Sequence, residues 1–367
     1  MSDDEPEADV ADRRITAMID AIDSELRVGA IDRIDEGTEF VARVALETPD
    51  GPCDAVLKAT TADLVDPPVA RAEPRLLALV DEETAISVPT VYGVRERHDD
   101  LPAPFVLLEF VDGENYENRI DDLPSAQRER ICRDAGRNLA RLHELDPLPS
   151  CGRIGVADDE LTVLGTGGTS DHNGAASEYD AFDDGRDWLL ASVTNTLDAL
   201  ETGGWFADLA DDPERFVDLV PEVRALVESA IPALPAPAPP TYCHTDYRYG
   251  NLLVDPDTGA TNAVLDWANL SAAPPSYNLA NAESLLLTPD RDPADRTATL
   301  REAFRTAYAD ERTDWRFDAA VEEWFAMGHL ASRLAAMACL PLWYRDATPA
   351  ERDERATEQR AFVREYL

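Results

Sequence analysis

Near Asp112-Gly113 the apolar residues stop alternating and take up a helical spacing, and that change divides the chain in two. Residues 13 to 27 carry a helical apolar pattern, and three β-like runs follow it: Phe40 to Leu46, Ala55 to Ala59 and Phe105 to Phe110. A helix is predicted between the second and third runs, over Val69 to Val80. Its Pro74 is compatible only with the first turn, because proline lacks the amide that later turns donate. Beyond Gly113, helices are predicted over 125 to 145, 177 to 200, 214 to 230, 295 to 310 and 315 to 339, with a proline-rich break from Pro232 to Pro240. The stretch from Gly152 to Gly174, rich in glycine and aspartate, reads as a surface excursion. The predicted domains are residues 1–112 and 113–367, and no internal repeat connects them.

With 367 residues and 44% hydrophobic content, the chain can bury two modest cores. No run of 18 apolar residues marks a membrane span, so no membrane partner is expected. The acidic start, Met1-Ser2-Asp3-Asp4-Glu5-Pro6-Glu7, lacks the basic and apolar parts of a secretory signal, and a cytoplasmic location is expected. Cys53, Cys132, Cys151, Cys243 and Cys339 are scattered without a C-x-x-C pair, which implies reduced thiols. Against 33 basic residues stand 74 acidic ones, a net charge of −41 that would repel a phosphate backbone and excludes nucleic acid as a partner. This acidity runs along the whole chain, as expected of a halophile's cytosolic protein whose self-repulsion is screened by salt. Local acidity therefore carries little information about the substrate.

Among the 33 basic residues there is one lysine, Lys58, and the other 32 are arginine. A composition so depleted in lysine retains one where a compact ammonium cannot be exchanged for a planar guanidinium. The alternative is a chance survivor on a strand edge.

The segment Thr241-Tyr242-Cys243-His244-Thr245-Asp246-Tyr247-Arg248-Tyr249-Gly250-Asn251-Leu252-Leu253-Val254-Asp255 is followed by Ala263-Val264-Leu265-Asp266-Trp267. With Asp257-Thr258-Gly259 as the turn, two short apolar strands form a β-hairpin that would bring Asp246, Asn251 and Asp266 around one spot. Phosphoryl transfer from ATP needs such a set: a carboxylate to orient and deprotonate the acceptor hydroxyl, and oxygen ligands to hold Mg²⁺ against the phosphates. Asp246 and Asn251 are five positions apart, as are Asp and Asn in the kinase loop H-R-D-x-x-x-x-N. A second reading takes His244 and Asp246 as a metal-hydrolase ligand pair completed by His143 or His329.

These residues resemble the aminoglycoside phosphotransferase and choline kinase superfamily, whose loop reads H-x-D-x-x-x-x-N and whose following strand ends in (I/L)-D-W. The similarity runs over about residues 28 to 285 and includes Arg137 to Leu145, which is similar to the family's L-A-R-L-H-x-L helix. It implies an α+β, bilobal protein-kinase-like fold, with a small β-rich N-terminal lobe and a larger, mainly helical C-terminal lobe. The implied activity is an ATP-dependent phosphotransferase acting on an alcohol group of a small metabolite or aminoglycoside-like compound. By the resemblance, Asp246 is the catalytic base, His244 braces its loop, and Asn251 and Asp266 bind Mg²⁺. Lys58 matches the lysine that contacts the α- and β-phosphates of ATP, and Glu73 its ion-pair partner. Phe105 to Gly113 looks like the interlobe hinge, where Glu109 and Val111 would face adenine, and Gly37 lies in the nucleotide loop. Tyr247 and Arg248, next to the base, are the candidates for meeting the substrate.

Two departures stand out. Glu39 replaces a common asparagine in a nucleotide loop with one glycine, and Asn278 stands in the usual G-D-P-x-x-D-L element as an uncharged residue. They keep open an alternative, a nucleotide-binding scaffold that transfers nothing. A eukaryotic-type protein kinase is disfavoured, since Asp266-Trp267-Ala268 is not D-F-G and no A-P-E segment follows.

Overall fold

The computed structural model describes residues 11–34, 39–61, 66–164, 180–268, 270–287 and 293–367. They group into two compact units: Met1–Tyr116 with Arg153–Asp180 and Asn251–Leu270, and Glu117–Gly152 with Ala181–Gly250 and Ser271–Leu367.

In the first unit, α1 (Asp12–Ile22) precedes β1 (Arg27–Ile34), β2 (Phe40–Thr48) and β3 (Gly51–Ala59). Then come α2 (Pro67–Ala70), α3 (Ala72–Glu83), β4 (Val91–Arg95) and β5 (Phe105–Glu109). The strands form one antiparallel sheet in the order β1-β2-β3-β5-β4. Alternation sets its faces: Phe40, Ala42, Val44 and Leu46 of β2, Ala55, Leu57 and Ala59 of β3, and Phe105 and Leu107 of β5 pack with Ile15, Met18 and Ile19 of α1. Lys58, between Leu57 and Ala59, therefore points to the opposite face. The helix expected over Val69 to Val80 is two helices broken at Arg71, which leaves Pro74 third in α3, where no intrahelical amide bond is due.

The sequence division at residue 112 needs correction, because segments from far downstream belong to this unit. The hairpin of β9 (Leu252–Val254) and β10 (Thr261–Val264) forms as expected, with Val264 opposite Leu252. Its backbone is bonded to the N-terminal segment: Glu114 N and O to Val254 O and N at 2.8 and 3.0 Å, and Val264 N to Ser87 O at 2.9 Å. The surface excursion is also corrected in part: β6 (Gly152–Ala157) and β7 (Glu160–Val163) pair as a hairpin. Asp158 and Asp159 make its turn at φ of 51° and 61°, a left-handed conformation that aspartate tolerates. Arg71 ties the hairpin to the unit through Nη2 to Val156 O at 3.0 Å.

In the second unit, α4 (Ser125–Leu142), α5 (Gly185–Leu200) and α6 (Val220–Ala230) precede β8 (Thr241–Cys243). After β11 (Ser271–Ala273), antiparallel to β8, come α7 (Pro275–Leu286), α8 (Ala294–Glu311), α9 (Ala319–Trp343) and α10 (Pro349–Arg364). Helices α4 and α8 approach closely at Gly136, where a Cβ would lie 2.2 Å from the Phe304 carbonyl oxygen. By length and composition α9 could cross a membrane, with a window of mean hydropathy 1.3. Yet 61% of that window is buried inside the protein, where Trp324, Leu330, Leu334 and Met337 pack with Leu189, Val193 and Leu197 of α5 and Val363 of α10. Helix α10 starts at a capping box, Thr348 with Glu351. All five cysteines are unpaired, as expected.

Candidate active site

The lone lysine is the centre of the first unit's polar cluster. Lys58 Nζ stands 2.8 Å from both oxygens of Glu73, 2.7 Å from Glu39 Oε2 and 3.2 Å from Asp266 Oδ1. Each partner is delivered by a local feature. Strand parity turns Lys58 away from the α1 core, and Glu73 is the second residue of α3, where the helix dipole favours a carboxylate. Asp266 lies at φ 60°, a left-handed conformation a few residue types accept. The next residue, Trp267, anchors the bend: it is fully buried and donates Nε1 to Val264 O at 2.9 Å. Glu39 leads into β2, and its Oε1 accepts from Thr60 Oγ1 at 3.0 Å.

Burial works against this much charge. It pushes the Glu73 carboxyl up to about 7; Lys58 opposes the rise, while Asp266 and Glu39 add to it. The Lys58 ammonium is held well above its ordinary value, since the attraction of Glu73, Asp266 and Glu39 outweighs a burial that would lower it. The sequence had singled out Lys58, Glu73 and Asp266; the third carboxylate, Glu39, was legible only as an oddity in the nucleotide loop.

Asn251 is buried at the start of the β9–β10 hairpin, its carbonyl accepting from Leu265 N at 2.8 Å. Glu109 ends β5, with its carboxylate accepting from the Thr90 hydroxyl at 2.9 Å, and Val111 follows half-buried. Gly37 lies outside the described residues.

The second unit holds the other half of the predicted set. Arg248 grips Asp246, with Nε 2.9 and 3.1 Å from the two carboxylate oxygens, and its Nη1 reaches Glu117 at 2.7 Å. Burial opposes the Arg248 charge, but Asp246 and Glu117 outweigh it and raise its pKa. Gly250 makes room for this pairing, since a Cβ there would lie 2.5 Å from Arg248 Nη1 and 3.0 Å from Glu117 Oε2. Glu117 left no sequence signal. Tyr247 corrects an expectation: it is 2% exposed, its hydroxyl accepts from Asn138 Nδ2 at 3.1 Å, and it packs into the core instead of facing a substrate.

Behind the loop runs a buried chain of hydrogen bonds. Asn278 of α7, fully buried, donates Nδ2 to the His244 carbonyl at 2.8 Å, so its Oδ1 accepts from His143 Nε2 at 3.0 Å. That fixes the tautomer, and Nδ1 of His143 then accepts from the Tyr308 hydroxyl at 2.9 Å. Burial, with help from Arg312, pushes His143 down to about 3 against the Asn278 bond. One turn on, Asn281 donates Nδ2 to the Thr245 carbonyl at 2.5 Å. Two asparagines thus hold the backbone just before Asp246, while His244 lies buried with its ring edge against Tyr247. The hydrolase reading loses its further ligands: His143 is spent in this chain, and His329 sits 3.6 Å from Glu283.

A sheet unit carrying a buried lysine–glutamate pair and a mainly helical unit carrying the H-x-D loop make a kinase-like fold of the α+β class. The chain belongs to the phosphotransferase enzyme family, whose model matches residues 30–321. Solved structures agree on the fold. A candidate aminoglycoside phosphotransferase from Ralstonia eutropha JMP134 is 16% identical with a TM-score of 0.59, over 97% of this chain and 98% of that one. An aminoglycoside phosphotransferase in complex with GDP and kanamycin is 14% identical with a TM-score of 0.57, over 95% and 98%. An ethanolamine kinase from Plasmodium vivax is 12% identical with a TM-score of 0.54, over 94% and 84%. The KEOPS complex subunit Bud32 of Pyrococcus abyssi is 30% identical over 63 residues, a match spanning 17% of this chain and 26% of that protein.

Proposed function

We propose that this phosphotransferase moves the γ-phosphoryl group of ATP onto a hydroxyl of a small molecule, a metabolite or an aminoglycoside-like compound. The observation that carries the reading is Lys58: in a chain otherwise served by arginine, the one ammonium is buried against Glu73 and Asp266. Lys58 supplies a compact positive charge for ATP phosphates, and Glu73 holds it in place. Asp246 takes the acceptor's proton as the hydroxyl oxygen attacks, with its carboxylate plane set by Arg248 and its backbone by Asn278 and Asn281. Kanamycin in one relative's complex and ethanolamine in another's name are hydroxyl-bearing molecules in keeping with this acceptor class.

The donor set fits magnesium. An amide oxygen of Asn251 and a carboxylate of Asp266 suit an ion that keeps most of its shell for water and phosphate oxygens. Among the described residues no group of three or more His, Cys, Asp or Glu side chains is arranged to hold a metal by itself. When bound, Mg²⁺ would neutralise charge on the β- and γ-phosphates.

The test is transfer of labelled phosphate from Mg-ATP to a pooled set of small hydroxyl compounds in high salt. Asp246→Asn should fold and bind ATP but lose roughly 10²- to 10⁴-fold in turnover, the range for removing a general base. A scaffold would transfer nothing in the wild type, and near-wild-type turnover of the variant would remove Asp246 from the role.

A further inference from the structure

An ammonium has three hydrogens to donate, and on Lys58 three carboxylates claim them: Glu73, Glu39 and Asp266. A phosphate can join this group only if one carboxylate leaves. Glu73 holds Lys58 with both oxygens from within α3 and is 8% exposed. Asp266 is fixed through its left-handed backbone and the Trp267 anchor. Glu39 stands just before β2, in neither a helix nor a strand, and beyond Lys58 its carboxylate is held by the Thr60 hydroxyl.

We propose that Glu39 is a built-in competitor for the nucleotide: its carboxylate occupies the phosphate's place on Lys58 and must be displaced before ATP binds. This rests on the nucleotide reading above and adds a specific residue that sets affinity. A carboxylate and a phosphate offer the ammonium the same kind of charge-assisted bond, so one substitutes for the other. The nucleotide then binds only the fraction of molecules in which Glu39 has let go, and its apparent affinity falls by that fraction. A displaced Glu39 still repels the phosphates beside it, which adds to the effect. Thr60 works on the same equilibrium by holding Glu39 in the closed position.

The experiment is calorimetric titration of ATP and of GTP, without Mg²⁺, into wild type, Glu39→Gln and Thr60→Val, with a thermal melt of each protein in the same high-salt buffer. Glu39→Gln should bind nucleotide about tenfold tighter or more, the equivalent of one charge-assisted bond no longer opposed. Thr60→Val should shift affinity in the same direction by less. A purely structural Glu39 would move the melt and leave or weaken the affinity, which overturns the competitor while wild-type binding upholds the nucleotide reading. If Glu39→Gln does not fold, Thr60→Val decides, and unchanged affinity there overturns the proposal. Binding of neither nucleotide by any of the three proteins overturns the nucleotide reading and the competitor with it.

Discussion

Replacing Asn278 by aspartate, the residue usual at this place in the family, should destabilise this protein and reverse its response to pH. The Asn278 amide both donates, to the His244 carbonyl, and accepts, from His143 Nε2, at a fully buried position. A carboxylate keeps the second bond, loses the first and sets its own oxygen against the buried His244 carbonyl, for about 1–3 kcal/mol at neutral pH. The pH dependence is the sharper signature. In the wild type His143 lies at about 3, below its unfolded value of about 6.5, so it contributes stability above pH ~6.5 that is lost as pH falls, by up to ~1.4 kcal/mol per unit. In Asn278→Asp the buried His143–carboxylate pair retains one proton, either on the ring or on the acid that then donates to His244. Above pH ~6.5 the folded variant therefore holds a proton that the unfolded chain has lost, and its stability falls as pH rises at ~1.4 kcal/mol per unit. Denaturant unfolding of both proteins from pH 5.5 to 8 in one high-salt buffer measures the difference, and its slope with pH carries the test. A variant as stable as wild type with a parallel pH profile would refute the bridge between His143 and the loop that carries Asp246.

Lys58→Arg keeps the charge and the chain's own preference, but a planar fork cannot satisfy three converging carboxylates or a phosphate in their place. It should lose roughly ten- to hundredfold in kcat/KM and lower the melting temperature as well, and equal activity would make Lys58 a compositional accident. Tyr247→Phe strips the partner from the buried Asn138 amide and should cost about 1–3 kcal/mol in denaturant unfolding with the acceptor KM unchanged. A raised KM at full stability would return Tyr247 to the substrate. If the −41 charge is a salt adaptation, desalting from 1 M to 0.1 M lengthens the screening distance from about 3 to about 10 Å and should lower the melting temperature; a flat or rising melt refutes that reading.

Much of the fold was legible because it rests on local rules. Alternation marked β2, β3 and β5, helical spacing marked α1, α4, α8 and α9, and the loop spacing with the lone lysine pointed to the chemistry. Edge strands β1 and β4 were missed because little of either is buried, so no alternation is imposed on their residues. Helix α10 was legible in principle through Thr348 and Glu351, and the β6–β7 hairpin through its Asp158-Asp159 turn.

The amino-acid order alone determined which residue types the chemistry has at hand: one ammonium, a carboxylate five places before an amide, and another carboxylate before a tryptophan. Tertiary structure decided what those groups can do. It brought Glu39 to Lys58, turned Tyr247 inward, set Arg248 and Glu117 beside Asp246, and made Asn278 the link between His143 and the loop that carries Asp246. These pairings join residues up to 135 positions apart, as between His143 and Asn278. The spacing of apolar residues encodes which face of an element is buried. It does not encode which polar groups will meet once those faces have packed, and burial then forces each of them to find a partner.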